Sequence, residues 1–359
     1  LEFRRVLFRS HRNAYEPSKP MNIQQAIKAV IAKQDLNENE MHDVMTDIMT
    51  GKTTDAQIGA FLVGLSMKGE TIAEITASAK VMRSLAKGVE VKSTKHLVDT
   101  CGTGGDGLSL FNISTACAFV VAAAGGSVAK HGNRSISSKS GSADVLEAAG
   151  VNLDMSAEQI SRSVNKIGVG FMFAPAHHSA MKHAIGPRKE LAVRTIFNVL
   201  GPLTNPAKAP TQVMGVYSKE LVEPIANVLK SLGSRHVMVV HSNDGLDEIS
   251  IADDTFVAEL KNGKVTTYTI NPTDFGLPLG SLDDIKAKDA DDSLILIQQA
   301  LDGKDGAAKN IIALNAGAAI YVCGLSNTLQ DGINKALSIL NKGSAHQKLD
   351  DFVRESTGC

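Results

Sequence analysis

After Lys95 the chain changes texture. Short β-prone runs, His96 to Val98, Ser127 to Ala129, Gly170 to Ala174, Gln212 to Tyr217 and His236 to His241, alternate with longer helical stretches. Such alternation leaves few folds open. Parallel strands need crossover connections, and the helices that supply them cover both faces of the sheet. The expected fold class is therefore α/β with a mostly parallel central sheet. Thr255 to Leu260 and Val265 to Ile270 flank Asn262-Gly263, a two-residue hairpin signal. From Asp291 the pattern returns to helices, and neither internal repeats nor low-complexity tracts interrupt it.

The part before Lys95 reads differently. From Met21 to about Val91 apolar residues recur at three and four, as in Ile23, Ala26, Ile27, Val30, Ile31 and again in Ile58, Phe61, Leu62, Leu65. That spacing predicts a small all-helical domain of four short helices. Asn37 with Glu40 three residues on marks a helix start, and Gly51 and Gly69 fall where helices should stop. The expected organisation is a helical domain over 21–92, joined by inserted helices at about 178–193, and an α/β domain formed by 93–177 and 194–359. Residues 1–20, with four arginines and no sustained periodicity, read as an extraneous or disordered extension. Glu2 and Glu16 count against a transit peptide, and Val6 to Phe8 is far too short for a secretory core.

At 359 residues the chain is long enough for about two domains and a sizeable core. Its 37 basic and 38 acidic residues nearly cancel, so no broad surface for a polyanion is expected and no nucleic-acid partner. Cys101, Cys117, Cys323 and Cys359 form no CxxC pair, which fits a reducing cytoplasm. No apolar run approaches the roughly 18 to 20 residues that cross a bilayer, so no membrane partner is expected.

Chemistry concentrates between His96 and Arg134. A short strand, His96 to Val98, runs into DTCGTGGDG (Asp99 to Gly107), and Asn112, Ser114 and Thr115 then open an apolar helix from Ala116 to Ala124. Glycines let backbone N–H groups approach an anion closely, and a following helix adds roughly half an elementary charge of positive field. Ser and Thr at such a start can cap it. Ser127 to Ala129 then delivers Lys130 and Arg134 to a second strand end, and two cations beside a glycine loop suit pyrophosphate. A phosphorylated sugar is the expected ligand.

Four further stretches are ambiguous when taken alone. SSKSGSADVLEAAG (Ser137 to Gly150) reads as a second anion cradle or as a loop with a helix cap. FAPAHHSAMKHAIGPRKEL (Phe173 to Leu191) crowds His177, His178, His183 and Arg188. It lacks an HExxH arrangement and any nearby Cys or carboxylate triad, so zinc is a weak reading. Arg188 could instead grip a planar carboxylate with two parallel hydrogen bonds, against the bland reading of a solvated helix charge. HSNDGLDEIS (His241 to Ser250) sets Asp244, Asp247 and Glu248 after a strand end, where oxygen ligands for Mg²⁺ or a plain acidic turn would both fit. TIFNVLGPLTNP (Thr195 to Pro206) reads only as a buried loop.

Taken in order, DTCGTGGDG, FNIST, KHGNR, SSKSGSADVLEA, GPRKEL, TIFNVLGPLTNP and DGLDE resemble the anthranilate phosphoribosyltransferase family of tryptophan biosynthesis. The resemblance runs from Met21 to the C-terminal helices and includes MKGET (Met67 to Thr71). It implies transfer of a phosphoribosyl group from 5-phosphoribosyl 1-diphosphate (PRPP) to the amine of anthranilate, with release of pyrophosphate. By resemblance, Gly102, Gly105, Asp106, Asn112, Ser114, Thr115, Lys130, Asn133 and Ser142 bind PRPP. Ser114, Asp247 and Glu248 take Mg²⁺. Gly102, His131, Asn133, His178 and Arg188 line the anthranilate path, with Lys130 and His131 as catalytic candidates. The family also implies a homodimer formed through the helical parts. Ala192 departs from the pattern, standing where glycine is expected after GPRKEL, a change that would stiffen a hinge. Two rival readings carry different signatures. A pyrimidine nucleoside phosphorylase would carry a different glycine loop with its own lysine, histidine and serine pattern. A non-catalytic nucleic-acid-binding relative would show a basic surface and eroded phosphate motifs.

Overall fold

Paired side-chain and backbone hydrogen bonds start the helical part. Asn22 with Gln25, Asn37 with Glu40, Thr54 with Gln57 and Thr71 with Glu74 each close a capping box, so two free N–H groups are satisfied at each helix start. They open α1 (Ile23–Ile31), α2 (Glu38–Met49), α3 (Asp55–Lys68) and α4 (Ile72–Leu85) in the computed structural model, which describes residues 20–105, 107–135 and 139–358. Gly51 and Gly69 follow α2 and α3 with φ of 76° and 89°, a left-handed exit that favours glycine.

The remainder is the expected α/β layer structure. β1 (Leu97–Gly102) feeds α5 (Ile113–Ala123), and β2 (Ser127–Gly132) feeds α6 (Ser142–Ala148) and α7 (Ala157–Ile167). β3 (Val169–Phe173) leads through α8 (Ala174–His177) and α9 (Lys182–Leu191) to α10 (Phe197–Leu200). β4 (Thr211–Gly215) feeds α11 (Val222–Ser231), and β5 (His236–Ser242) precedes the hairpin of β6 (Thr255–Lys261) and β7 (Lys264–Ile270). α12 (Ala290–Leu301), α13 (Ala307–Val322), α14 (Leu329–Asn341) and α15 (Ser344–Thr357) complete the chain.

The seven strands lie in the order β3-β2-β1-β4-β5-β6-β7, parallel from β3 to β5 and antiparallel through β6 and β7. From β1 the chain first builds outward through β2 and β3, then returns to add β4 and β5 on the other side. The order therefore reverses between β1 and β4. In an open parallel sheet that reversal leaves a crevice at the carboxyl ends of the two strands, which is where ligands bind.

Two apolar cores cover the two faces. On one face α5, α13 and α15 close over β1, β2 and β3, with Phe119 of α5 and Phe352 of α15 fully buried and 6.4 Å apart between ring centroids. Truncating Phe119 to alanine would cost about 3–5 kcal/mol there. On the other face α11 packs on β5 and β6, and its core is continuous with that of α1 to α4 through Val199, Leu200 and Leu203. Arg83 of α4 donates to the Leu203 carbonyl at 2.7 Å and ties the helical domain to that segment. α9, distant in sequence from the first four helices, packs against α2 and α3.

Candidate active site

The crevice between β1 and β4 is built on close backbone approach. A Cβ on Gly215, the last residue of β4, would lie 1.5 Å from the Asp247 carbonyl oxygen, and one on Gly102 would lie 2.3 Å from Asp247 Oδ2. Only glycine at both strand ends lets the 242–250 turn fold down beside the β1 loop. Asp247 is then buried, and its Oδ2 accepts the Gly104 N–H at 2.8 Å. Thr103 is fixed as well. Its N–H donates to the Gly215 carbonyl at 3.0 Å, and its hydroxyl oxygen accepts the Tyr217 N–H at 3.0 Å.

Beneath this loop lies Lys130, buried at the end of β2. Its ammonium donates to the Thr100 carbonyl and, at 3.1 Å, to the Ser114 hydroxyl. This corrects the expectation that hydroxyls cap α5. Asn112 is the cap residue but makes no side-chain cap bond, Ser114 is engaged by Lys130, and Thr115 Oγ1 is buried without a partner among the described residues. Asn112 instead clamps the neighbouring loop. Its amide donates to the Ser140 carbonyl at 3.2 Å, while its oxygen accepts from the hydroxyls of Ser140 at 3.0 Å and Ser293 at 2.8 Å.

The second loop folds against the first motif. Ser142 Oγ donates to the Asn133 carbonyl at 3.4 Å and occupies the space that a Cβ on Gly132 would need. Asp144, one turn into α6, accepts the N–H groups of Ser135 at 3.0 Å and Gly141 at 2.8 Å. Arg134 does not join Lys130 beside the glycine loop as the sequence suggested. Its exposed guanidinium turns to α6, pairing with Glu147 and with Asp144. Asp106 and Ser137 lie outside the described residues.

On the side toward the helical domain the site becomes drier. The rings of His131 and His178 are buried with centroids 5.0 Å apart, and each Nε2 lacks a partner among the described residues. Burial first, and then the neighbouring histidine rings, hold His131 down to about 3 and His178 down to about 4, so both are neutral at pH 7. His177 is a different residue in kind: its ring bonds the Lys87 carbonyl at 2.7 Å, and Lys87 N–H donates back to its carbonyl. Arg188 of α9 lies half-buried with its guanidinium 5.2 Å from the Phe197 ring centroid. Burial lowers its proton affinity, and no carboxylate among the described residues compensates. A desolvated guanidinium of this kind is suited to a planar acid arriving from outside.

Several contributors were not legible as site residues. Asn205, in the stretch read only as a buried loop, donates to the Ala129 carbonyl at 2.8 Å and supports β2 below Lys130. Asp99 is fully buried in β1 with its carboxyl pushed up by burial and held back by the Lys130 charge. Arg194 and Tyr217 meet the glycine loop from the α9 exit and the β4 exit. The signal for Asp99 was an acid inside a strand. For Arg194 there was none, because the contact joins elements far apart in sequence.

Residues 94–346 match the glycosyl transferase family a/b domain, and residues 24–86 match its helical bundle domain. Anthranilate phosphoribosyltransferase of Ruthia magnifica subsp. Calyptogena magnifica is 80% identical over 94% of this chain and 100% of its own length. The chain belongs to the anthranilate phosphoribosyltransferase family. The anthranilate phosphoribosyltransferase of a Marinomonas species is 64% identical over 93% of this chain and 96% of its own. Among solved structures, the anthranilate phosphoribosyltransferase of Thermus thermophilus superposes with a TM-score of 0.88 at 39% identity, covering 92% of this chain and 99% of that one. The Saccharomyces cerevisiae anthranilate phosphoribosyltransferase in complex with PRPP and Mg superposes with a TM-score of 0.84 at 25% identity, covering 94% and 98%.

Proposed function

We propose that this protein transfers the 5-phosphoribosyl group of PRPP to the amine of anthranilate, giving N-(5-phosphoribosyl)anthranilate and pyrophosphate, a step of tryptophan biosynthesis. The observation that carries the reading is the corner where Asp247 locks the β1 glycine loop at the β1/β4 crevice. It sets a buried carboxylate against a positive-φ glycine loop at the β1/β4 crevice, while Lys130, buried on the neighbouring strand, binds the Thr100 carbonyl of β1 and the Ser114 hydroxyl of α5. Neither rival reading has a comparable support, since the glycine loop is intact and the charge is balanced.

The donor set fits magnesium. Asp247 is seated, and the charge of Glu248 is felt by the buried thiols of Cys101 and Cys117, which burial pushes up first. Cys117 lies three residues after Ser114 on α5, so the charge of Glu248 reaches the helix that carries Ser114. Two carboxylates and a hydroxyl are few ligands, which suits an ion that keeps waters and takes its remaining oxygens from substrate phosphates. Bound Mg²⁺ would neutralise charge on the departing pyrophosphate.

The chain's own groups supply the rest. Loop N–H groups and Lys130 hold the diphosphate, and Asn112, Asn133 and Ser142 shape the cradle around the ribosyl phosphate. Arg188 holds the anthranilate carboxylate, and the neutral rings of His131 and His178 orient the aromatic amine. Substitution beside a ring oxygen passes through an oxocarbenium-like state, so leaving-group stabilisation and alignment are the main tasks. The arylamine is neutral at pH 7 and loses its proton after attack. A ring held near 3 is a weak acceptor, which makes His131 an orienting partner rather than a poised base. We further propose a cytoplasmic homodimer through the helical domain. Supporting the dimer, Ile31 of α1 and Met67 of α3 are 69% and 79% exposed on helices that pack together.

The test is loss of anthranilate fluorescence with purified protein, PRPP and Mg²⁺, each omitted in turn. Decay that needs all three supports the reading. Absence of decay from a folded protein that still binds PRPP would require another acceptor.

A further inference from the structure

Resting on that reading, we infer that Arg194 is a positioning residue for the diphosphate, which acts by holding the glycine-loop carbonyl of Gly105 away from the anion site. Arg194 Nη2 donates to the Gly105 carbonyl oxygen at 2.7 Å. Its guanidinium carbon lies over the Tyr217 ring, 4.3 Å from the centroid, and the Tyr217 N–H is itself bonded to Thr103 of the same loop.

The need for such a residue follows from what a glycine loop is. Gly104 and Gly105 both take positive φ, 67° and 82°, and a backbone so free can turn its peptide units at little cost. A turned unit would present a carbonyl oxygen to the diphosphate where an N–H should be, and two partial negative charges would face each other. At Gly104 the N–H is fixed by Asp247. At Gly105 it is the carbonyl that is fixed, and by Arg194. The two contacts together select one loop conformation. A planar guanidinium suits the task, because one face stacks on an aromatic ring while the edge donates in a set direction.

Its place in the chain adds a second consequence. Arg194 follows α9, which packs with α2 and α3, by three residues, and Ala192 between them is in the left-handed conformation. The Glu70 carboxylate of the α3–α4 turn is close enough to Tyr217 to reinforce the upward push that burial gives its phenol. The plate formed by Arg194 and Tyr217 therefore lies where the helical domain, the hinge and the phosphate loop meet.

The experiment compares full-length wild type with Arg194→Gln, Arg194→Lys, Tyr217→Leu and Tyr217→Phe. It measures KM for PRPP, KM for anthranilate, kcat, and the Kd of inorganic pyrophosphate with Mg²⁺ by calorimetry. Arg194→Gln should raise the PRPP KM and the pyrophosphate Kd about tenfold while the anthranilate KM changes less than about twofold. Arg194→Lys should show most of the same loss, since charge alone does not stack and point. Tyr217→Leu should follow Arg194→Gln, and Tyr217→Phe, which keeps the ring under the guanidinium, should lose less than Tyr217→Leu. Wild-type PRPP and pyrophosphate affinities in Arg194→Gln would overturn the inference. So would a uniform fall in kcat with both KM values unchanged, which is the mark of a merely structural role. If the wild type binds pyrophosphate but turns over no anthranilate, the transferase reading fails, and the ratio of pyrophosphate Kd values still decides the role of Arg194.

Discussion

Gly102→Ala tests the construction of the crevice most directly. A methyl group there would lie 2.3 Å from Asp247 Oδ2 and 3.0 Å from its Cγ, so the carboxylate must rotate out of its seat. An off-rotamer side chain costs about 0.5–1.5 kcal/mol. The Gly104 N–H, now 2.8 Å from a charged acceptor, loses a bond worth about 1.5–3 kcal/mol. Together about 2–4.5 kcal/mol is removed from the preorganised loop. Converted at about 1.36 kcal/mol per decade, kcat/KM for PRPP should fall about 30-fold to about 2 × 10³-fold. The loss falls on a half-exposed loop rather than on either core, so Tm should move by only about 3 °C. Fluorescence assays at saturating anthranilate and varied PRPP read the effect. Gly59→Ala in α3, where an added Cβ meets nothing within 4 Å, serves as the control and should be as active as wild type. A Gly102→Ala enzyme with kcat/KM within threefold of wild type would refute the reasoning, because the glycine would then not be required for the approach of Asp247.

Other outcomes follow from the same geometry. Asp247→Asn with Glu248→Gln should abolish most Mg²⁺-dependent turnover, by at least about 10²-fold, while circular dichroism stays native; near-normal activity would remove the metal assignment. Arg188→Ala should raise the anthranilate KM by about tenfold or more and leave the PRPP KM nearly unchanged, and an unaltered anthranilate KM would remove its proposed role. The folded-state pKa values of His131 and His178, about 3 and about 4, lie below the ordinary 6.5, so the unfolded chain binds more protons as acid is added. Stability should therefore be full above pH 6.5 and fall as pH drops from 6.5 toward 4, by up to about 1.4 kcal/mol per pH unit for each ring. Urea unfolding at pH 7.5, 6 and 5 measures the slope, and a flat profile would contradict the buried neutral state. Ala192 has φ 51° and ψ 28°, so Ala192→Gly should stabilise the protein by about 0.5–1 kcal/mol in the same unfolding assay.

What the sequence settled by itself is whatever depends on local pattern. Short β-prone runs and period-3.6 apolar spacing placed the strands and the helices, capping pairs such as Asn37 with Glu40 marked helix starts, and Asn262-Gly263 marked the β6–β7 turn. The strand–glycine–helix order at β1 identified an anion site, because phosphate binding there uses backbone groups whose geometry is set within a few residues. Hydrogen-bond partners across the sheet were not legible. Ser114 and Thr115 read as caps, yet Lys130 from the neighbouring strand takes the Ser114 hydroxyl. Arg134 read as a second phosphate cation, yet Glu147 of α6, across the intervening loop, holds it. The same residue types are compatible with either role, and only the packing of distant elements selects between them. The strand order did the rest: by reversing between β1 and β4 it brought Gly102, Gly215, Asp247 and Arg194 to one crevice from four separate parts of the chain.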